Sequence, residues 1–296
     1  MTLLRAEKKH LITRRRFLTT SGCIAAGAAI YSSEIERHWI DITHRDVFLA
    51  GLPAAFDGFQ IAQLSDIHFD EFTEPFFLRD VVNRVNAMKP DAVLITGDFV
   101  TLSPVSKRIF KDAAEHCATI LKELECPQRY AVLGNHDIQV GRTVVAEALA
   151  NCSIRLLVNE YLPVERAGRR FWLAGLDDPV NGVPKPEIAI PAAIRNQPGE
   201  PIVVMCHAPD FVDNMMRDPA GQTAALMLSG HTHGGQIRLP LIGPLVLPTW
   251  GKKYVEGWFR FGQLQLHVNR GIGTVGVPMR LDCPPEISFL TLRTAA

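Results

Sequence analysis

The sequence predicts an α/β fold, in which a sheet covered on both faces by helices is joined to a mixed second sheet. Three observations lead there: short buried-type apolar runs recur along the chain, helical stretches separate the earlier ones, and the later runs have fewer helices between them. Trp39, Ile40 and Ile42 alternate loosely with polar residues through Val47, which suits an early edge strand. The runs at 59–64, 92–96, 130–133, 202–205 and 225–228 are rich in Val, Ile, Leu and Ala and read as strands buried on both faces. Between the first two, Phe77, Val81, Val82, Val85 and Met88 fall at helical spacing before a stop at Pro90. Residues 107–124 form a second amphipathic pattern. The segments 171–174, 263–268 and 287–292 are assigned to the mixed second sheet.

A chain of 296 residues with 47% hydrophobic content can bury a large core, and no repeat or long linker divides it. The first 31 residues read as a separate targeting segment, and 32–296 as one domain. Formal charge is zero overall, but residues 1–31 hold six Lys or Arg against one acid, leaving 25 basic and 30 acidic residues in the remainder. A slightly acidic body has no basic footprint for nucleic-acid backbones. Thr13-Arg14-Arg15-Arg16-Phe17-Leu18, followed by an Ala- and Gly-rich apolar run to Tyr31, resembles a twin-arginine export signal. That run is shorter than the roughly 20 residues a membrane span needs. The expectation is export by the twin-arginine machinery to the periplasm or the outer face of the cytoplasmic membrane, with the leader cleaved or kept as an anchor. The five cysteines beyond Cys23 are odd in number and lack metal-site spacing.

The residues that carry chemistry stand at the exits of the buried runs. Asp66-Ile67-His68 comes after the first, Gly97-Asp98 after the second, and Gly134-Asn135-His136-Asp137 after the third. Cys206-His207-Ala208-Pro209 and Gly230-His231-Thr232-His233 come after the last two. Ligands bind outside the carboxyl ends of strands in α/β sheets, so the five clusters are expected to converge. Each alone has an ordinary explanation as a turn or a cap. Together they supply carboxylates, an amide and imidazoles without thiolate, a donor set for Mn, Fe, Zn or Co, and two clusters imply two ions.

In this order the motifs are the signature of the calcineurin-like metallophosphoesterases. Leu52-Pro53, the stretches 56–63 and 234–240, Lys253-Tyr254, and 269–274 with Pro285-Glu286-Ile287 further resemble exported bacterial YkuE/YaeI-type phosphoesterases. The resemblance implies a four-layer α-β-β-α sandwich of two mixed sheets. It also implies that Asp66, His68 and His233 hold one divalent ion, that Asn135, His207 and His231 hold the other, and that Asp98 bridges them. By the same resemblance His136 is expected to stay off the metals as the catalytic residue, stabilising developing charge or protonating the leaving oxygen. Two cations would neutralise the anionic ester and acidify a bridging water into the nucleophile. The second motif continues as Phe99-Val100-Thr101-Leu102, without the Asp and Arg of protein Ser/Thr phosphatases.

The expected activity is therefore metal-dependent hydrolysis of an envelope phosphate ester, most simply a diester. The alternatives are a UDP-2,3-diacylglucosamine pyrophosphatase and, from another class, a non-catalytic binding scaffold. Asp137 is read as a helix cap rather than a residue that orients a neighbour, and Cys206 as a small buried hydrophobe. The apolar stretch 239–250 is read as core strands of the second sheet. Its other reading is a loop that receives a lipid phosphate or meets a membrane surface.

Overall fold

The structure is a computed structural model that describes residues 13–69, 72–101, 107–195 and 197–295. Residues 1–12 of the expected leader, with Arg5, Lys8 and Lys9, lie outside the described residues. The chain runs through α1 (Arg14–Ile30), β1 (Asp41–Leu49), β2 (Gln60–Leu64), α2 (Pro75–Met88), β3 (Ala92–Ile95), α3 (Lys107–Leu121), β4 (Arg129–Ala131), α4 (Asn135–Asn151) and β5 (Arg155–Leu156). It continues through β6 (Glu160–Arg166), β7 (Arg169–Gly175), α5 (Pro186–Ala189), β8 (Ile202–Met205), α6 (Val212–Met215) and β9 (Ala224–Ser229). Last come β10 (Arg238–Leu239), β11 (Gly243–Pro244), β12 (Gly257–Phe261), β13 (Leu264–Val268) and β14 (Glu286–Thr294).

One six-stranded sheet has the order β1-β14-β2-β3-β4-β5, and the other β12-β13-β9-β8-β7-β6. Each mixes the two pairings: β2, β3 and β4 run parallel while β14 meets β2 antiparallel, and β7, β8, β9 and β13 run parallel between antiparallel β6 and β12. Period-two alternation explains why both faces of the inner strands are apolar. Ile61 and Leu94 point between the sheets towards Val203, Met205, Leu226 and Leu228. Ala62, Leu64, Val93 and Ile95 point the other way, onto α2, α3 and α4. Val204, Met227, Leu266 and Val268 pack on the outer side of the second sheet. Three apolar interiors thus separate four layers, helices outside and sheets within.

Helix α2 shows how local sequence sets an element. Pro75 opens it, Phe77, Leu78, Val81, Val82 and Val85 form its buried stripe, and Lys89 leaves in the left-handed conformation before Pro90. Helix α1 buries no side chain along its length. No helix among the described residues is long and apolar enough to cross a membrane.

Two assignments change. Residues 287–292 belong to the first sheet, where β14 lies between β1 and β2. Its alternation, Ile287 and Phe289 towards the helices and Leu290 and Leu292 towards the second sheet, fits either sheet, so the sequence pattern does not decide between them. Residues 239–250 are not core strands. They hold the two-stranded β10–β11 hairpin, which pairs with neither large sheet, and Leu241, Ile242 and Val246 are exposed.

Candidate metal centre

The five site-bearing strands divide three and two between the sheets: β2, β3 and β4 in the first, β8 and β9 in the second. Their carboxyl ends lie together at one end of the sandwich. Backbone bonds extend the pairing past the strand ends, from Asp66 N to Gly97 O (2.9 Å) and from His68 N to Asp98 O (3.0 Å). The second sheet's loops are linked the same way, Gly230 N donating to His207 O (3.0 Å). The Asp66 carboxylate ties the two halves together by accepting the His231 N–H at 2.8 Å.

Two ligand clusters result. Asp66, His68 and His233 form one, and Asp98, His207 and His231 the other, with the donor atoms of each within 4.8 Å of one another. Asp98 Oδ2 lies 3.1 Å from His207 Nε2 and 3.6 Å from His68 Nε2, so it faces both clusters. Asn135, at the start of α4, presents a buried Oδ1 that has no hydrogen-bond partner among the described residues. His136 lies beside His68, ring centroids 4.9 Å apart, and its backbone N–H donates to Asp98 Oδ1 at 2.9 Å.

Hydrogen bonds to the far ring nitrogens orient three of the imidazoles. His207 Nδ1–H donates to Thr96 O at 2.7 Å, which turns Nε2 inward towards Asp98. His231 Nε2–H donates to Thr249 O at 2.8 Å, so its inward nitrogen is Nδ1, 3.1 Å from His207 Nε2. His68 Nδ1 is held by Thr101 Oγ1 at 2.5 Å, leaving Nε2 to meet His233 Nε2 at 2.9 Å.

The donor set fits divalent cations. Burial lowers His68 to about 3 and His231 to about 4, and it drives His233 well below the ordinary histidine value, so these imidazoles are neutral and offer lone pairs. Burial, reinforced by Asp98, raises Asp66 to about 6. Burial also works to raise Asp98, but His207, which Asp98 in turn raises well above the ordinary histidine value, holds it well below the usual carboxylate range. Buried carboxylates crowded this way, with an orphaned amide oxygen beside them, are offset by cations bound among them.

The backbone is strained where the ligands project. Asp66, His68, Asp98, His231 and His233 all have positive φ, between 46° and 73°. This left-handed conformation costs an L-residue about 1–2 kcal/mol and clusters at functional sites. Two glycines make room: a Cβ on Gly134 would sit 2.2 Å from Asp98 Oδ1, and one on Gly230 would sit 2.3 Å from Asp66 Oδ2.

All the sequence-predicted site residues are therefore together, and several supporting residues join them. Asp137 does more than cap: it accepts Gly134 N and also the N–H groups of Asp98, Phe99 and Val100. It therefore orients a neighbour, contrary to expectation, because the β3 exit loop turns back over the start of α4. Cys206 points into the outer core of the second sheet, a small buried hydrophobe as expected, and burial raises its thiol well above the ordinary value. Thr101 and Asp178 were missed. Asp178 follows β7 as the site residues follow their strands, and its Oδ2 accepts Val180 and Asn181 N–H, while the Asn181 amide donates to Asn135 O at 3.1 Å. The strand-exit rule, applied to 171–174, would have found it. Arg280, fully buried, donates to the carbonyls of Arg270, Gly271, Gly273 and Cys283 and fixes the loop behind Asp66 and His233; an isolated arginine gives no such signal in sequence.

Comparison with known proteins agrees with this geometry. Residues 59–235 match the calcineurin-like phosphoesterase family model. The metallophosphoesterase YkuE of Bacillus subtilis is 32% identical over 96% of this chain and 98% of its own. The phosphodiesterase YaeI of Escherichia coli is 34% identical over 95% of this chain and 100% of its own. A dimetal phosphatase structure from Danio rerio superposes with a TM-score of 0.50 at 14% identity, over 73% of this chain and 88% of that one, and so shares the fold. Matched through the motif-bearing strands and along nearly the full length of two relatives, this chain belongs to the calcineurin-like phosphoesterases and is a metal-dependent hydrolase of phosphate esters.

Proposed function

We propose that the chain is a dinuclear phosphodiesterase that acts on a phosphate ester of the cell envelope after twin-arginine export. The observation that carries the dinuclear reading is Asp98, whose carboxylate faces both ligand clusters. Asp66, His68 and His233 would hold one ion and Asn135, His207 and His231 the second, with Asp98 within reach of both. When bound, the two cations screen the ester's negative charge and acidify an attacking water.

The chain's own residues do the rest. The carbonyls of Thr96 and Thr249 fix the His207 and His231 tautomers, so neither ring reorganises on binding. His136, half-buried at the mouth and held through its backbone to Asp98, donates a hydrogen bond to an ester oxygen where charge develops. Water adds to phosphorus and its proton passes to solvent, one P–O ester bond breaks, and the departing alkoxide takes a proton from His136 to leave as the alcohol. The YaeI relative, a phosphodiesterase, favours a diester as substrate.

The test is hydrolysis of bis-p-nitrophenyl phosphate and p-nitrophenyl phosphate by Mn-reconstituted protein, with His136→Ala as control. Faster diester turnover that the substitution abolishes supports the reading. Monoester preference would make the protein a phosphomonoesterase. No turnover with bound metal would favour the binding scaffold. For export, a folded reporter fused after residue 31 should leave the cytosol, and should stay there once Arg14, Arg15 and Arg16 become lysine.

A further inference from the structure

The cavity over the ligand clusters has a volume of about 410 Å³ and two unlike ends. Asp98, Asn135 and His136 form the polar end, while Ile237, Leu245, Val246, Val275 and Val277 form an apolar wall that runs outward from it. Leu245, Val246 and Val277 are exposed as well as cavity-lining, so the wall opens to the surface. Beyond it stands the β10–β11 hairpin, with Leu241 fully exposed and Ile242 70% exposed at its tip. Leu241 is left-handed, with φ 67°, a costly choice for a bulky side chain that is fully exposed. Contiguous exposed apolar surface of this kind marks an interaction site.

The leader helix leaves the body at the same rim. Arg280 N donates to Ser32 O at 3.0 Å, just after α1, and Arg238 N in the hairpin donates to Leu281 O at 2.9 Å. Helix exit and hairpin base are therefore tied to adjacent residues of one segment, and Tyr31, Trp39 and Leu281 line a common surface hollow. The apolar residues Phe17, Leu18, Ile24 and Ile30 of α1 are exposed, as are Arg14, Arg15 and Arg16 at its start. A protein partner would account for one apolar patch. A bilayer accounts for the hairpin, for a helix with apolar and basic exposed residues, and for an apolar wall leading from surface to metal centre.

We infer that the chain docks on a lipid bilayer through the β10–β11 hairpin and takes as substrate an acyl-chain-bearing phosphodiester, its phosphate at Asp98 and His136 and its chains along the apolar wall. The substrate half of this rests on the phosphodiesterase reading above; the docking half does not. Leu241 and Ile242 lie outside the cavity, so they contribute to docking and not to hydrolysis.

The experiment compares full-length wild type with the Leu241→Asp/Ile242→Asp double variant, and with Leu241→Gly, which removes the side chain and suits the backbone. Co-sedimentation is measured on vesicles of phosphatidylglycerol and phosphatidylcholine. Turnover is measured on phosphatidylglycerol in mixed micelles and on soluble bis-p-nitrophenyl phosphate. Vesicle binding by the double variant is expected to fall roughly tenfold or more, with a smaller fall for Leu241→Gly. Micellar turnover should drop in parallel while soluble-ester turnover stays unchanged. Equal vesicle binding by all three proteins overturns the docking inference. Soluble diester cleaved without any cleavage of phosphatidylglycerol overturns the lipid substrate and leaves the phosphodiesterase reading standing. A wild type that binds vesicles through the hairpin yet cleaves neither diester sinks the phosphodiesterase reading, and the lipid substrate with it, while docking survives.

Discussion

Asp98 and Asp137 hold each other's loops in place. The Asp137 carboxylate accepts the Asp98 backbone N–H at 2.8 Å, while the Asp98 side chain accepts the N–H of His136, next to Asp137, at 2.9 Å. One carboxylate faces the two donor clusters and the other faces away, and the second fixes the first. Asp137→Asn presents an N–H₂ group towards donors that need an acceptor. It should lower metal affinity and turnover by about 10–100-fold, as removing supporting partners does, and cost about 1–3 kcal/mol of stability. Metal titration by calorimetry and a urea melt check both. Unchanged metal affinity would mean that the Asp98 loop holds its shape unaided.

Metal binding should stabilise the fold, since the ligands come from both sheets. At a hundredfold excess over its dissociation constant, an ion that binds only the folded chain adds about 2.7 kcal/mol. Chelator-treated protein should therefore melt several degrees lower than protein with Mn. In Asp98→Asn the rise on adding Mn should shrink sharply, because the shared ligand loses its charge. Differential scanning calorimetry with and without metal reads this directly.

Substituting His136 should separate binding from chemistry. His136→Gln is expected to lower kcat about 10²–10³-fold, the scale of losing one positioned donor, with the metal-induced rise in melting temperature intact. A lost rise would place His136 among the ligands, an arrangement with which the His68–Asp98–His136 grouping is also compatible on geometry alone.

Away from the site, His267 should contribute to the loss of stability in mild acid. It is buried against Trp258 and bonded to Gln63 Oε1 at 2.8 Å, and burial lowers it from 6.5 to about 4 despite the opposing pull of Glu286. The unfolded chain takes up this proton near pH 6.5 and the folded chain only near 4, so the contribution is complete above 6.5 and is lost as pH falls towards 4. The loss is about 3 kcal/mol over that window. Urea melts at pH 7 and 4.5 should show it, and His267→Gln should flatten the slope.

The sequence was most legible where strand and ligand coincide. Asp66, Asp98, Asn135, His207 and His231 each stand within a few residues of an apolar run, so the pattern that predicts the strand also places the ligand. It was less legible where position depends on chain return. Residues 287–292 alternate correctly for either sheet, and only the long-range pairing of β14 with β1 and β2 decides. The 239–250 stretch misled because apolar composition normally means burial, whereas here Leu241, Ile242 and Val246 face outward. Thr101, Asp178 and Arg280 were hidden because each acts through a backbone group or another side chain rather than by direct chemistry.

The left-handed ligand positions also bear on how this centre could be altered. At Asp66, His68, Asp98, His231 and His233 the residue must both carry a donor and tolerate positive φ. Alanine, the usual truncation probe, removes the donor but keeps the strained backbone, so it confounds two losses. Glycine removes the donor and relaxes the strain, and should leave the metal-free chain more stable than alanine does by about 1 kcal/mol per position. The residues that meet both demands are few, chiefly Asn, Asp and His. Substitution at these sites is thus channelled towards exchange among donors.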